Sequence, residues 1–556
     1  MNKHAIYHRP RSSYAYFDSP GTVFILFRSG REDIEAVEIF HFDKYIHRET
    51  LKNTKMEKFI DDELFSYYRI RLTPPYKRLA YYFKLTGKDG EIFYYDETGF
   101  CKDDKHCERC AFQMPYINDA DVIRVPQWAK SAVFYHIFPD SFARSEPFFE
   151  GAPAWGTEPH VRDHRGGNLR GMIDNFSHIK ELGVNALYLC PLFASGSAHR
   201  YNTSDYKTID PRLGTMDDFK EFLDLCHKNS VRVLLDAVFN HTCDTFPAFK
   251  DIVEKGEASK YKDWYFIRSF PVQVDGVYRY DRFAFTSHMP KLNTANREVK
   301  EYLLDVVEFW TKTGIDGWRL DVANEVDLGF WRDFRKKVKS VNSEVLIIGE
   351  IWNDSTPYLD GDMMDSVMNY PFAASCSAFF LSGEIDLETF KNQISTRLTA
   401  YPYPMTYAMY NLFGSHDTAR WFTEAKGDIK RITLSIVFQF CFPGMPAIYY
   451  GDETGMEGEN AILARRCMNF TPGETGQKLL ALYKKLIALR KNSRALCEGD
   501  FEWSENSSGL LSFTRRAGDE EIRVDINNSN KAEPIEPMGY RIYRKKTQDI
   551  SWSVVS

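Results

Sequence analysis

The sequence lacks both a long uninterrupted hydrophobic run and an excess of positive charge. Its most apolar long segment, Ile432 to Tyr450, contains Ser, Gln, Gly and two Pro, which favours a buried helix followed by a buried strand over a membrane span. The formal net charge of -7 provides no basic surface of the kind that nucleic-acid binding requires. We therefore expect no membrane span and no nucleic-acid partner.

The first residues, "MNKHAIYHRPRSS", lack the apolar segment of a secretory signal, so we expect a cytoplasmic protein. In that compartment the ten cysteines are expected to be reduced thiols. Cys107 and Cys110 have C-x-x-C spacing, with Cys101 and His106 nearby. Because no second C-x-x-C pair accompanies them, a loop with free thiols is favoured over a zinc site.

Aromatic residues make up 15% of the chain, which indicates either large cores or flat ring surfaces for apolar ligands such as sugar faces. At 556 residues the chain is too long for a single core, so several domains are expected. Residues 1–121 are predicted to form a β-sandwich, since short β-branched and aromatic runs follow one another closely there. The break at Lys88 to Gly90 between two such runs predicts a hairpin.

Residues 122–486 alternate between strand-like and helix-like segments, which predicts an α/β domain. Eight apolar segments have the character of buried parallel strands, and they begin at Ala132, Ala186, Val231, Gly317, Val345, Ser366, Ala408 and Ala447. Amphipathic segments such as Asn296 to Gly314 separate them. We predict a closed (β/α)8 barrel, with a small subdomain inserted after the third strand at about 242–289 and an all-β domain at 487–556.

Polar and ionisable residues follow the apolar part of four of these strands. They are Asp236, Asn240 and His241; Arg319 and Asp321; Glu350; and His416 and Asp417. Each residue alone has a structural explanation, such as a helix cap or a hydrogen-bonded core histidine. Because the carboxyl ends of barrel strands meet on one face, the whole set predicts an active site there.

Glycoside hydrolysis is the chemistry that best fits several carboxylates without a serine or cysteine nucleophile. It needs one protonated carboxylic acid and one ionised carboxylate. Arg319 is expected to keep Asp321 ionised as the nucleophile, and the apolar run before Glu350 to keep that residue protonated as the general acid. Metal-dependent hydrolysis is the rival, but the sequence has no H-E-x-x-H cluster.

Five motifs in order resemble those of the α-amylase superfamily, glycoside hydrolase family 13. They are "DAVFNH", "MPKLN", "GWRLDVANE", "GEIW" and "FGSHD". The combination of "MPKLN", "VANE" and "GDMMDSVMNYPF" is similar to the subgroup of neopullulanases, cyclomaltodextrinases and maltogenic amylases. The N-terminal domain resembles a family 34 carbohydrate-binding module.

The resemblance implies specific roles. Asp321 would be the nucleophile, Glu350 the general acid/base, and Asp417 the third carboxylate that grips sugar hydroxyls. The substrate-binding positions that it implies are Arg319, His241, His416, His199, Tyr201, Asp236, Asn240 and Glu325. His199 would bond to the sugar, Tyr201 would stack on it, and Glu325 would lie on the leaving-group side. Ordinary surface roles remain the alternative for His199 and Glu325.

The sequence departs from the family pattern at two places. After the first barrel strand, Arg144 and Ser145 stand where calcium-binding members have Asn- and Asp-rich loops, so we expect no metal and no other cofactor, with calcium as the disfavoured alternative. Ile462, Leu463 and Ala464 stand where the subgroup has an Asp-Pro-Asp-Cys-type segment, which predicts altered binding of the non-reducing side of the substrate.

The resemblance thus implies a retaining hydrolase of α-1,4 bonds in cyclodextrins, pullulan and maltooligosaccharides, with some transglycosylation. An exo-acting α-glucosidase of the same superfamily and a non-catalytic glucan-binding protein are the alternatives. The expected partners are α-glucan oligosaccharides and a second copy of the chain, paired through the N-terminal domain.

Overall fold

A computed structural model describes residues 1–101, 103–161, 163–505, 509–531, 534–546 and 553–555. Within this part of the chain, no helix is long and apolar enough to cross a membrane. The predicted C-terminal domain at 487–556 includes four stretches that lie outside the described residues, namely 506–508, 532–533, 547–552 and 556.

Two antiparallel sheets form the N-terminal part of the chain. Their strands are β1 (Ala15–Ser19), β2 (Thr22–Gly30), β3 (Ile34–Phe42), β4 (Lys52–Lys55), β5 (Glu57–Asp61), β6 (Phe65–Leu72), β7 (Leu79–Gly87), β8 (Ile92–Asp96), β9 (Gly99–Cys101) and β10 (Phe112–Met114). One sheet has the order β1-β2-β6-β5, and the other β4-β3-β7-β8-β9 with β10 paired to β7. Apolar side chains of both sheets, such as Phe27 and Phe83, form a shared core. The predicted sandwich is confirmed.

The hairpin between β7 and β8 turns at Gly90, whose φ of +80° suits a residue without a Cβ. It lies in the segment from Lys88 to Gly90 where the sequence predicted it.

The central domain is built on eight parallel strands. The strands of this part are β11 (Phe134–Ile137), β12 (Ala186–Leu189), β13 (Phe193–Ser195), β14 (Thr203–Ile209), β15 (Arg232–Ala237), β16 (Gln273–Val274), β17 (Val277–Tyr278), β18 (Gly317–Leu320), β19 (Leu346–Gly349), β20 (Ser366–Val367), β21 (Tyr410–Leu412) and β22 (Met445–Tyr449). The sheet has the order β20-β19-β18-β15-β12-β11-β22-β21, and a parallel bridge from Met368 to Tyr410 joins its two edges. The predicted (β/α)8 barrel is confirmed, although each strand is shorter than its predicted segment.

The α-helices lie mainly around this barrel. They are α1 (His47–Thr50), α2 (Asp104–Arg109), α3 (Pro139–Phe142), α4 (Leu169–Asp174), α5 (Phe176–Leu182), α6 (Met216–Lys228), α7 (Pro247–Lys255), α8 (Arg297–Thr311), α9 (Leu328–Val341), α10 (Tyr370–Cys376), α11 (Leu387–Ala400), α12 (Tyr403–Thr406), α13 (Trp421–Glu424), α14 (Ile429–Cys441), α15 (Ala461–Ala464), α16 (Glu474–Lys491) and α17 (Arg494–Glu498). Helix α8 begins where the Asn296 side chain accepts from two backbone amides, and it buries Val299, Leu303 and Trp310 along one face.

The most apolar segment of the sequence forms α14 followed by β22, as predicted. Both elements are largely buried, and the side chain of Gln439 donates to two backbone carbonyls there. The segment therefore belongs to the core of the barrel.

The segment from 242 to 289 extends outward after β15 and contains α7 and the small hairpin of β16 and β17. After the barrel, the strands β23 (Asp500–Trp503), β24 (Leu511–Ala517), β25 (Glu520–Asn527), β26 (Gly539–Lys546) and β27 (Ser553–Val554) form one antiparallel sheet. Buried Arg515 ties this sheet to the barrel, because its guanidinium donates to the carbonyl of Cys441 at the end of α14.

Two cysteines of the N-terminal part are close together. The sulfur atoms of Cys101 and Cys107 are neighbours, because α2 packs against β9, and the expectation of reduced thiols stays a prediction. Cys110 is free, and its sulfur lies near His106 and Asp96.

Candidate active site

Three neighbouring barrel strands end in acidic side chains. Asp236 is the last residue but one of β15, Asp321 follows β18, and Glu350 follows β19. Strand β18 pairs in parallel with both of its neighbours, and its Arg319 lies directly opposite Asp236. Because parallel strands end on the same face of the barrel, the four side chains meet there.

The guanidinium of Arg319 contacts all three carboxylates. Its Nη1 donates to both oxygens of Asp236 at 2.9 Å and to Oδ1 of Asp321 at 2.8 Å. Its Nη2 forms an ion pair with Oε2 of Glu350 at 2.8 Å. All four side chains are buried, where an unpaired charge would be costly, so this arginine stabilises the whole cluster.

Burial raises the pKa of Asp321 well above its usual value; Arg319 opposes this effect, and Glu350 and Asp236 add to it. Burial also raises the pKa of Asp236, although Arg319 and two tyrosine hydroxyls oppose it. Arg319 thus favours the ionised form of Asp321, but burial acts in the opposite direction, and the guanidinium is shared with Asp236 and Glu350.

Glu350 has more polar surroundings than its sequence context predicted. Besides Arg319, its carboxylate accepts from the backbone N–H of Val322 at 3.0 Å and from the indole N–H of Trp352 at 3.2 Å. The apolar residues before it form β19, but the end of the strand projects this side chain toward the cleft. The apolar run before Glu350 did not indicate these donors, and the role of Glu350 as general acid stays a prediction.

Asp417 lies across the cleft, on the loop after β21, and is held by two cationic groups. Its Oδ2 is 2.9 Å from Nε2 of His416, and its Oδ1 accepts from Nη2 of Arg465 at 3.1 Å. Burial favours the neutral imidazole, but the neighbouring Asp417 outweighs it and raises the pKa of His416 to about 10. In turn, burial of the Asp417 carboxyl is overcome by His416, which holds its pKa well below the usual range.

Three rings form one wall of the cleft. The ring of Tyr201 is nearly parallel to that of His416, with centroids 5.2 Å apart, and the ring of His199 lies 6.0 Å from that of Tyr201 at an angle of 22°. The hydroxyl of Tyr201 donates to Asp236 at 2.8 Å, which fixes the ring. Burial, reinforced by Arg465, lowers the pKa of His199 to about 3, so this imidazole is neutral near pH 7.

His241 is also a neutral, fixed side chain. Its Nε2 donates to the carbonyl of Tyr201 at 2.8 Å, and its ring stacks on Phe283 with centroids 4.9 Å apart. Burial lowers its pKa to about 4, although the bond to Tyr201 opposes the change.

Glu325 lies at the rim of the site with two partners. Its carboxylate accepts from the side-chain amide of Asn240 at 3.3 Å and pairs with Lys291 at 3.5 Å. Lys291 also donates to Oδ1 of Asn240 and to the carbonyl of Glu325. The lysine from "MPKLN" and the glutamate from "VANE" are thus one connected unit.

The cleft has a volume of about 510 Å³. Of the residues selected from the sequence, its lining includes His199, Tyr201, His241, Asp321, Glu350, His416 and Asp417. Asp236, Asn240 and Arg319 are buried behind this lining, and Glu325 is at the rim. The sequence grouped these four with the substrate-binding residues, whereas the three buried ones are placed to position the others.

Several residues of the cleft were not selected from the sequence. Arg465, Trp352 and Phe283 belong to its lining. Trp352 is part of "GEIW" and Arg465 belongs to the arginine pair after Ala464, so both stand beside residues that had been singled out. The contact of Arg465 with Asp417 could not be read from the pattern, because it joins positions 48 apart in the chain, whereas Trp352 stands only two positions after Glu350.

The loop after β11 does not offer a calcium site. Nη1 of Arg144 donates to the carbonyls of Pro153 and Arg165, at 3.0 and 3.3 Å. The amide of Asn168 donates to the carbonyl of Ser145 at 2.7 Å. Calcium is bound by oxygen atoms, and here nitrogen donors already engage these oxygens, so the residues do not fit the ion.

Comparison with known proteins gives consistent matches over nearly the whole chain. Residues 136–477 match the α-amylase catalytic domain, and residues 1–118 match the α-amylase N-terminal Ig-like domain. A cyclomaltodextrinase from Bacillus sp. is 43% identical over 533 residues, which cover 94% of this chain and 95% of that protein. Neopullulanase 2 from Thermoactinomyces vulgaris is 42% identical over 539 residues, which cover 96% and 92% of the two chains.

The fold is similar to that of a solved cyclomaltodextrinase structure. The TM-score is 0.91 at 43% sequence identity, and the match covers 95% of this chain and 92% of the other. The similarity therefore includes the domains on both sides of the barrel.

Proposed function

Because the chain belongs to the α-amylase family of glycoside hydrolases, we propose that it cleaves α-1,4-glucosidic bonds in small α-glucans with retention of configuration. The observation that carries this proposal is the position of Asp321 and Glu350. They end adjacent strands, share the guanidinium of Arg319 and face one cleft with Asp417. Two carboxyl groups beside one bound sugar are what double displacement requires.

In the first step, ionised Asp321 attacks the anomeric carbon while Glu350 gives a proton to the leaving oxygen. Glu350 is in place for this role, because it lines the cleft beside Asp321 and lies 2.8 Å from the same guanidinium. In the second step, Glu350 removes a proton from water, and the water displaces Asp321 from the sugar.

Asp417 and the ring wall are proposed to hold the sugar at the point of cleavage. Since His416 and Arg465 keep Asp417 ionised, this carboxylate accepts bonds from sugar hydroxyls without competing for the catalytic proton. Tyr201 presents a fixed ring face to the apolar face of the sugar, while neutral His199 and His241 bond to hydroxyls.

The proposed substrates are cyclodextrins, pullulan and maltooligosaccharides. Two of the proteins most similar to this chain are named cyclomaltodextrinase and neopullulanase, which supports this choice. Trp352 adds a half-exposed ring at the cleft edge, stacked on Tyr370 at 3.7 Å, which suits an acceptor sugar. Together with the charged rim at Glu325 and Lys291, it supports transfer to sugars alongside hydrolysis.

Chromatography of the products from cyclodextrin, pullulan and starch tests the proposal. We expect maltooligosaccharides from cyclodextrin, faster cleavage of cyclodextrin than of starch, and products that keep the α configuration when first released. Release of glucose alone from every substrate would instead favour the exo-acting α-glucosidase. Binding of cyclodextrin without release of reducing sugar would favour the non-catalytic alternative, which the full set of three carboxylates opposes.

We also propose that the reaction needs no cofactor and, in particular, no calcium. The support is the loop after β11, where Arg144 supplies the positive charge at the backbone carbonyls. Activity after exhaustive treatment with a calcium-selective chelator tests this, and loss of activity that calcium restores would contradict it.

A homodimer through the N-terminal sandwich remains a proposal from the family resemblance. Sedimentation of the whole chain and of a chain without residues 1–121 tests it, because only the whole chain should dimerise. A cytoplasmic location likewise stays a prediction, and cell fractionation tests it.

A further inference from the structure

We propose that His136, Cys190 and His416 form a binding site for a transition-metal ion such as Zn²⁺, directly behind the catalytic cleft. Nε2 of His136 lies 3.2 Å from Sγ of Cys190 and 3.2 Å from Nδ1 of His416. The third side of this triangle, from Sγ of Cys190 to Nδ1 of His416, is 3.4 Å. Three ligand atoms of two kinds therefore converge on one point.

The barrel brings these residues together from three separate strands. His136 lies in β11, Cys190 follows β12, and His416 follows β21. Strands β11 and β12 are neighbours, and the backbone N–H of Cys190 donates to the carbonyl of Ile137. Each of the three side chains is only 1% exposed, so the triangle belongs to the packed interior and is not a surface coincidence.

The size of the triangle suits a metal ion. A point equidistant from three atoms with these separations lies about 1.9 Å from each. Zinc bonds are about 2.0–2.1 Å to imidazole nitrogen and about 2.3 Å to thiolate sulfur. An ion slightly above the plane of the three atoms reaches these lengths with little movement of the ligands and keeps a fourth position open.

The donor types decide which ions are expected. Two imidazole nitrogens and one thiolate, without any carboxylate, suit zinc and other late first-row metals, whereas calcium and magnesium require oxygen ligands. On binding, the metal–sulfur bond replaces the S–H bond of Cys190, and the metal–nitrogen bond replaces the Nδ1–H bond of the His416 imidazolium, so that two protons leave to solvent.

The surroundings orient both imidazoles. Nε2 of His416 is held by Asp417 at 2.9 Å, which leaves Nδ1 directed at the triangle, as in carboxylate–histidine–metal arrangements. The ring of His136 packs between those of Tyr188 and Tyr449, at 4.3 and 5.0 Å. A site with fixed ligands has little ordering cost to overcome when the ion binds.

An ion at this position would affect the cleft through one residue. His416 belongs both to the triangle and to the cleft lining, and its ring stacks on Tyr201. Occupancy would fix the imidazole, and the combined charge of the ion and the Cys190 thiolate would replace that of the imidazolium beside Asp417. Neither His136 nor Cys190 belongs to the cleft lining, so the site can be altered without removing a group that faces substrate.

Cobalt titration of the whole, metal-free protein tests the proposal, because a thiolate ligand gives Co²⁺ an intense near-ultraviolet charge-transfer band. We expect one equivalent of Co²⁺ to produce this band and an equivalent of Zn²⁺ to remove it. The band should be absent in Cys190→Ala. In His136→Gln, the affinity for Co²⁺ should be at least tenfold lower than in the wild-type protein. It should persist in Cys226→Ala, which removes a buried thiol from α6, and in Cys110→Ala.

The Cys110→Ala control addresses one of the two other candidate ligand groups among the described residues, in which His106 and Asp96 accompany Cys110. A band that persists in Cys190→Ala, or one that Cys110→Ala abolishes, overturns the proposal. So does the absence of any band in the wild-type protein, which would show that the triangle is only a hydrogen-bonded cluster. Anomalous diffraction from zinc-treated wild-type crystals gives a second readout that does not depend on the variants folding, and density elsewhere than at the triangle overturns the site.

Discussion

Arg465 donates to the carboxylate oxygen of Asp417 that His416 does not contact, with Nη2 3.1 Å from Oδ1. A second bond, from Nε of Arg465 to the backbone carbonyl of His416, fixes the guanidinium. Because the two cations approach different oxygens, the carboxylate cannot rotate freely. Arg465 is therefore a positioning residue for the third carboxylate of the site.

Replacement of this arginine should lower the rate of the chemical step. For Arg465→Ala we expect kcat/KM to fall about 10–100-fold, mainly through kcat, because a misplaced Asp417 no longer holds the sugar in its reactive geometry. Arg465→Lys, which keeps the charge but cannot make both bonds, should be intermediate. Arg466→Ala is the matched control, since its guanidinium contacts Glu158 and the carbonyl of Glu457 instead. Equal losses in the two alanine variants would contradict a specific role.

Asp321→Asn should abolish turnover while leaving the fold intact. We expect a loss of at least about 10⁴-fold in kcat, because the amide cannot form the covalent intermediate. Asp305→Asn, on the surface of α8, is the control and should retain full activity. In the wild-type protein, a slow fluorinated glucosyl substrate should label a peptide that contains Asp321, and mass spectrometry locates the label. A fully active Asp321→Asn variant, or a label on another residue, would refute the mechanism.

His241 should make stability depend on pH in the acidic range. Burial lowers its pKa to about 4 in the folded chain, below the unfolded value near 6.5. The unfolded state therefore binds a proton first, so the stabilisation is complete above pH 6.5 and is lost as pH falls toward 4. The loss amounts to roughly 3 kcal/mol at most for this one group.

Urea unfolding at several pH values measures this effect. Between pH 6.5 and 4, the free energy of unfolding should decrease less steeply in His241→Gln than in the wild-type protein, whatever the stability of the variant at pH 7. His288→Gln, at an exposed position of the same segment, is the control and should keep the wild-type slope. Identical slopes in all three proteins would show that the His241 side chain does not contribute.

Arg144→Ala should loosen the loop after β11 in a way that calcium does not repair. The substitution removes two hydrogen bonds to carbonyls and the packing of the guanidinium on Phe148, which costs about 1–3 kcal/mol and lowers Tm. Arg268→Ala, a surface arginine paired with Asp281, is the control and should change Tm little. Full recovery of Tm on addition of calcium would show that the loop can hold the ion after all.

Trp352 allows stacking and hydrogen bonding to be separated. Trp352→Ala should raise KM for cyclodextrin several-fold and reduce transfer products, because the ring face at the cleft edge is lost. Trp352→Phe keeps a ring but removes the N–H that donates to Glu350, so KM should stay near the wild-type value. Equal KM values for the alanine and wild-type proteins would exclude the stacking role.

The sequence predicted the barrel well because the pattern of its strands is local. Each buried strand is an apolar run, and the residue after it carries the chemistry, as with Asp321 after β18 and Glu350 after β19. The buried helix α14 and the buried strand β22 could likewise be predicted, because Ser, Gln and Pro interrupt an otherwise apolar segment.

The sequence could not predict how these residues share their contacts. The spacing of Arg319 and Asp321 suggested a pair, whereas the closed barrel brings Asp236 and Glu350 to the same guanidinium. Arg465 was overlooked because its contact with Asp417 spans 48 positions in the chain. Such contacts depend on barrel closure, which no local pattern encodes.

The shared guanidinium also gives the floor of the cleft an electrostatic preference. The three carboxyl groups of Asp236, Asp321 and Glu350 surround the single positive charge of Arg319. The floor therefore has a negative potential before any ligand arrives, in a place where little water can screen it. A neutral sugar gains little from that potential, but a ring that develops positive charge at its anomeric carbon is attracted as the bond breaks. The cleft therefore stabilises a short-lived cation, and protonated imino sugars should bind to it because they carry a similar positive charge.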